Sequence, residues 1–152
     1  MELENLENIT KSFDDTDFTD LPKNRRAKED FKYLCNKTNY SALNNVKYLS
    51  VNGLKKLGDF LVLGYSPADK MIVFPQDLID VENRGLFVAV VVYNGDRVND
   101  VLIFKASEFK KPGMFSMFKN LKKSDEYAIS LGDASSPKLK EYSFGLVLKS
   151  LE

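Results

Sequence analysis

The chain has 152 residues, 43% of them hydrophobic and 29% charged, with 22 basic and 22 acidic side chains and a formal net charge of zero. That length suits one domain that can bury a core without disulfides or metals, and a balanced charge sets up no global field toward nucleic acid or an anionic membrane. Histidine is absent, which removes the commonest metal ligand, the commonest general base near neutral pH and every Ser-His or Cys-His arrangement.

Residues 2–20 carry Glu2, Glu4, Glu7, Asp14, Asp15, Asp17 and Asp20 against Lys11 alone. Leu3, Leu6, Ile9, Thr10 and Phe13 recur at helical spacing, but so short a helix is marginal by itself. Residues 1–20 are therefore read as an acidic N-terminal arm, followed by one domain over 21–152. The plain reading is a solvating arm. The sharper one is an acidic-aromatic segment in which Phe13, Asp14, Asp15, Asp17 and Phe18 dock on a basic groove, the chain's own or a partner's. The start lacks the basic and apolar regions of a secretory signal. The longest apolar run falls far short of the roughly 20 residues of a membrane-spanning helix. The expectation is a cytoplasmic protein with no membrane association.

Asp20 is placed to cap a helix beginning near Pro22. Ala27, Phe31, Leu34 and Cys35 share one face of it, so Cys35, the only cysteine, is read as core and not as a nucleophile. Lys23, Arg25, Arg26, Lys28 and Lys32 make this helix locally basic. Residues 36–45 are polar and read as a loop. Strands are expected over 46–51, 60–65 and 71–74, with a turn at Ser66-Pro67-Ala68-Asp69. A short helix or turn follows over 75–81.

Leu86 to Tyr93 is unbroken apolar sequence rich in valine, then Asn94-Gly95-Asp96 supplies turn chemistry before Val101 to Phe104 returns. This is read as the central hairpin, its first strand buried on both faces. A helical turn is expected over 106–109 and a short amphipathic helix over 113–122, from Met114, Phe115, Phe118 and Leu121. Residues 127–131 read as a strand. Tyr142, Phe144, Leu146 and Leu148 alternate, predicting a C-terminal strand. The fold class that follows is α+β: a single, mostly antiparallel sheet of about six strands, packed by the N-terminal helix and one shorter helix.

Chemistry is sparse. Asp14 to Asp20 lacks the glycine and terminal glutamate that a calcium loop needs in this register, so no metal site is expected there. Ser116 and Lys119 form a Ser-x-x-Lys step without its companion motifs, and the surrounding Met and Phe read as core. Asp59, a strand, then Asp69-Lys70 distantly resembles the core of restriction-endonuclease-type nucleases. That resemblance implies Mg²⁺ held by the carboxylates and a lysine assisting the attacking water. Asp69 and Lys70 are adjacent, however, without the intervening residue that would turn both to one strand face.

The stretch 105–123 carries Lys105, Lys110, Lys111, Lys119, Lys122 and Lys123 against Glu108. Such lysines contact phosphates while Phe109 or Phe115 stacks on bases in single-strand binders, or else they are the solvated face of a packed helix. The functional expectation is a non-catalytic binding protein acting on a partner macromolecule, with a protein as the partner and no cofactor. The alternatives are nucleic-acid binding through Lys23, Arg25, Arg26, Lys105, Lys110, Lys111, Lys119 and Lys122, and a Mg²⁺-dependent nuclease-like hydrolase or its inactive relative.

Overall fold

The computed structural model describes residues 18–19, 21–45, 47–110, 117–131 and 137–151. The acidic residues Asp14, Asp15 and Asp17, together with Phe13, Lys111 and Ser116, lie outside them.

The architecture is α+β in three layers. Helix α1 (Pro22–Lys37) is followed by β1 (Ser41–Asn45), β2 (Tyr48–Asn52), β3 (Lys56–Tyr65), β4 (Ile72–Pro75), β5 (Leu86–Asn94), β6 (Arg97–Lys105), β7 (Phe118–Leu121), β8 (Glu126–Ile129) and helix α2 (Phe144–Leu151). Short 3-10 turns cover Gln76–Leu78, Ala106–Lys110 and Pro137–Tyr142. The strands divide between two sheets, where one was expected. The larger runs β1-β2-β3-β5-β6 and the smaller β4-β8-β7.

Among the described residues every strand pairing is antiparallel except β3 with β5, which lie parallel from Asp59 beside Leu86 to Tyr65 beside Val92. A parallel pair needs a crossover connection. Residues 66–85 supply it, contributing β4 to the smaller sheet on the way.

Strand β5 is the centre of the molecule. Because successive side chains point to opposite faces, Leu86, Val88, Val90 and Val92 enter the core shared with the smaller sheet. Phe87, Ala89, Val91 and Tyr93 enter the core beneath the helices. Val88 to Val92 are at most 2% exposed, and each buried valine contributes about 1.5–3 kcal/mol. The hairpin to β6 turns on Gly95 and Asp96, with Asn94 paired to Arg97 and Gly95 at φ 63°. Glycine at the first central position is what a type II′ turn requires.

Helix α1 buries Asn24, Ala27, Phe31 and Cys35. Phe31 packs its ring against Phe60 and Phe144, with centroids 5.6 and 5.7 Å away. Leu21, not Asp20, is the N-cap, and it makes no side-chain cap. Pro22 at the first position supplies the preorganised φ. At the other end Asn39 adopts φ 70°, and the Tyr40 amide returns to the Cys35 carbonyl at 2.8 Å. This is the six-to-one closure of a Schellman motif. Burial pushes the Cys35 thiol up to about 12.

Three expected elements are corrected. Ser41–Asn45 is a strand and not loop, because pairing with β2 satisfies its backbone and α1 covers Ala42. Residues 118–121 are strand and not helix, since pairing with β8 sends Phe118 into contact with Phe104 and Phe109. The C-terminal segment is α2, not a strand. Phe144 and Leu148 stand one helical turn apart and are buried, while Leu146 is 59% exposed. Among the described residues no helix is long and apolar enough to cross a membrane.

Candidate functional site

A cleft of about 270 Å³ opens where β3 and β5 end together beside the start of α1, lined by Lys23, Arg26, Gly64, Tyr65, Ser66, Asp69, Tyr93 and Gly95. Its floor depends on close approach of helix and strand. A Cβ on Gly64 would stand 2.6 Å from the Lys23 carbonyl oxygen, so only glycine lets α1 settle there. The Gly64 amide donates to Asn24 Oδ1 at 3.0 Å, and Asn24 Nδ2 donates to the Phe18 carbonyl at 3.0 Å. Asn24 is 1% exposed, and these bonds satisfy a polar group that would otherwise be costly to bury.

Opposite the helix, the chain leaves β3 through the turn expected at 66–69. The Asp69 amide donates to the Ser66 carbonyl at 2.9 Å. Asp69 Oδ2 accepts from the Ser66 amide at 3.2 Å and from Ser66 Oγ at 3.4 Å. The carboxylate thus closes its own turn, as Asx side chains do.

Arg26 forms the third wall. Its guanidinium carbon lies 4.2 Å from the Tyr93 ring centroid, Nη2 donates to the Asp96 carbonyl at 2.6 Å, and Nε is 3.8 Å from Asp30 Oδ2. The same Asp30 oxygen accepts from the Tyr93 hydroxyl at 2.6 Å. A half-exposed ion pair contributes little alone. The ring contact and the carbonyl bond, however, fix the plane of the guanidinium. The Tyr93 phenol is held protonated above its ordinary range by burial first, then by the hydrogen bond and charge of Asp30, against an opposing pull from Arg26. Its proton is committed to Asp30. The arrangement sets cationic donors, two tyrosines and a turn carboxylate around one cleft.

The residues singled out by sequence are not gathered into one surface. Lys23, Arg25 and Arg26 stand on α1. Lys105 ends β6 opposite Phe87, at the far end of β5 from Tyr93, about 20 Å of strand away. Lys110 is ion-paired with Glu82 at 2.7 Å. Lys119 on β7 and Lys122 just beyond it belong to the smaller-sheet layer, on the other side of the large sheet from α1. Phe18 is half-buried and packs on the core between the sheets.

Asp59 and Asp69 also part company. Asp59 lies near the start of β3, 3.4 Å from Lys56, and Asp69 lies beyond its far end. The intervening strand, about 20 Å long, exceeds the reach of a single Mg²⁺ with ligands at about 2 Å. Among the described residues no group of three metal-ligating side chains occurs.

Sequence reasoning missed Asn24, Gly64, Tyr65 and Tyr93 as site residues. The one available signal was Asn24, a polar residue in register with the buried positions Ala27, Phe31 and Cys35. No protein-family model matches the chain, and neither a curated protein nor a solved structure matches it.

Proposed function

We propose that this chain is a non-catalytic binding protein whose cleft between α1 and the ends of β3 and β5 receives an acidic side chain of a protein partner. The carrying observation is Arg26, clamped between the Tyr93 ring, Asp30 and the Asp96 carbonyl at the cleft wall. A cation already held in place loses little further freedom on binding. Arginine and tyrosine are also the residues that most often anchor protein interfaces. At about 270 Å³ the cleft falls just below the usual range of small-molecule sites, about 300–1,000 Å³, and suits one or two inserted side chains. The division of the basic residues between opposite sides of the large sheet argues against a single nucleic-acid track.

The test is selection of peptides from a displayed random library on the whole protein. The expected result is enrichment of Asp or Glu beside an aromatic residue, with affinity falling at least tenfold in Arg26→Ala and in Lys23→Glu. Selected peptides lacking acids, or binding both variants undiminished, would overturn the reading. So would tight, salt-sensitive binding of oligonucleotides that competes with the peptides.

A further inference from the structure

We propose that Asn94 is a site of spontaneous deamidation, a covalent modification that consumes only water and rebuilds the turn at the lip of the cleft. The reaction belongs to the fold, whichever ligand the cleft receives.

Asparagine is a labile side chain, and it is most reactive before glycine, where no Cβ shields the following amide nitrogen from the carboxamide carbon. The chain contains two such steps, Asn52-Gly53 at the end of β2 and Asn94-Gly95 at the end of β5. The fold treats them differently. Asn52 is half-buried, and the Gly53 amide donates to the Lys55 carbonyl at 2.9 Å. Its nucleophile is engaged. Residues 94–99, by contrast, are exposed, and Gly95 lines the cleft. Among the described residues neither the Asn94 carboxamide nor the Gly95 amide has a hydrogen-bond partner. Ring closure then needs only the last rung of the hairpin, Asn94 beside Arg97, to open, and terminal rungs open most readily.

The step balances with water as the sole co-reactant. The Gly95 nitrogen attacks Asn94 Cγ and gives up its proton, the Cγ–Nδ2 bond breaks, and Nδ2 leaves as ammonia from a cyclic imide. Water then opens the imide at one of its two carbonyl carbons. Opening at Cγ leaves aspartate at this position, and opening at the backbone carbonyl leaves isoaspartate, with the main chain routed through Cβ and Cγ. No electrons are transferred.

The consequence falls on Arg26. Either product adds a negative charge, and isoaspartate also adds a main-chain carbon to a turn whose Asp96 carbonyl accepts from Arg26 Nη2 at 2.6 Å. The same guanidinium lies over Tyr93, the residue just before the site. A two-residue turn sets the position of its carbonyls by its length, so the modified chain loses this bond and is the less stable.

The test is peptide mapping of the full chain by mass spectrometry after incubation at neutral pH, native and in urea, with fragmentation that separates aspartate from isoaspartate. In the native protein position 94 should convert at least fivefold faster than position 52, chiefly to isoaspartate and faster as hydroxide rises, whereas in urea the two should convert at similar rates. Equal native rates, a native Asn94 that persists while the unfolded chain converts, or a fivefold ratio that survives in urea overturns the assignment. Aspartate without isoaspartate indicates direct hydrolysis and overturns the ring closure. Asn94→Gln, whose side chain is one carbon too long for the five-membered imide, should keep its thermal midpoint through the incubation while wild type loses stability progressively. Equal loss in both overturns the effect on the turn.

Discussion

Gly64 and Asn24 are joined by a buried hydrogen bond of 3.0 Å that fastens the middle layer to α1, and the same Asn24 side chain reaches on to the Phe18 carbonyl. One carboxamide therefore ties a strand, a helix and the segment preceding the helix. Asn24→Ala strands the Gly64 amide without a partner, at a cost of about 1–3 kcal/mol. Urea unfolding should show a lower midpoint with an unchanged slope, because the surface exposed on unfolding stays the same.

Gly64→Ala tests the same contact from the strand side. The added methyl meets the Lys23 backbone carbonyl at 2.6 Å, and backbone cannot swing aside as a flexible side chain would. The expected loss is about 1–3 kcal/mol, as for other overpacked sites. A calorimetric midpoint equal to wild type would show that α1 lifts freely.

Cys35 provides an internal reporter of unfolding. It is fully buried, and burial holds its thiol at about 12, so hardly any thiolate exists at pH 8. Native protein should leave a thiol reagent such as dithionitrobenzoate unreacted, with labelling in urea rising in step with the loss of circular dichroism. Rapid labelling of the native state would mean that α1 opens locally.

Alkaline pH should loosen the fold through Tyr93. Its phenol lies above the ordinary value near 10 in the folded chain, so above about pH 10 the unfolded chain releases this proton more readily. The associated stability is fully present below that pH and is lost as pH rises. Tyr93→Phe should flatten the decline in urea midpoint between pH 9 and 11. It should not abolish it, because Cys35 and Tyr142 are also raised by burial, Tyr142 further by Glu108 and Glu141. At neutral pH the variant should be the less stable, having lost the bond to Asp30.

The parts of the fold legible in sequence are those where one interaction dominates. Leu86 to Tyr93 admits no exposed face, so its central position follows from composition, and the Gly95 turn follows from the positive φ it must adopt. The helix from Pro22 shows its buried stripe directly. Strand β1 has a single buried residue, Ala42, among polar neighbours, and pairing across to β2 decides its state. Phe144 and Leu148 satisfy a period of two and a helical turn equally, and packing against Phe31 selects the helix. The cleft was half legible. Lys23 and Arg26 are conspicuous cations, but Tyr65 and Tyr93 look like the last residues of apolar strands. Only the tertiary meeting of α1 with both strand ends makes them neighbours.

The parallel seam between β3 and β5 has a consequence for how the chain folds. Everything to one side of it, the β1-β2-β3 meander, and to the other, the β5-β6 hairpin, is built from sequence-local antiparallel contacts. The seam itself closes a loop made of residues 66–85, and such non-local closure is slower than forming a hairpin. Two locally built halves are thus joined along one non-local seam, and because Tyr65 and Val92 are partners across it, the seam carries Tyr65 and Tyr93 to the same edge of the sheet.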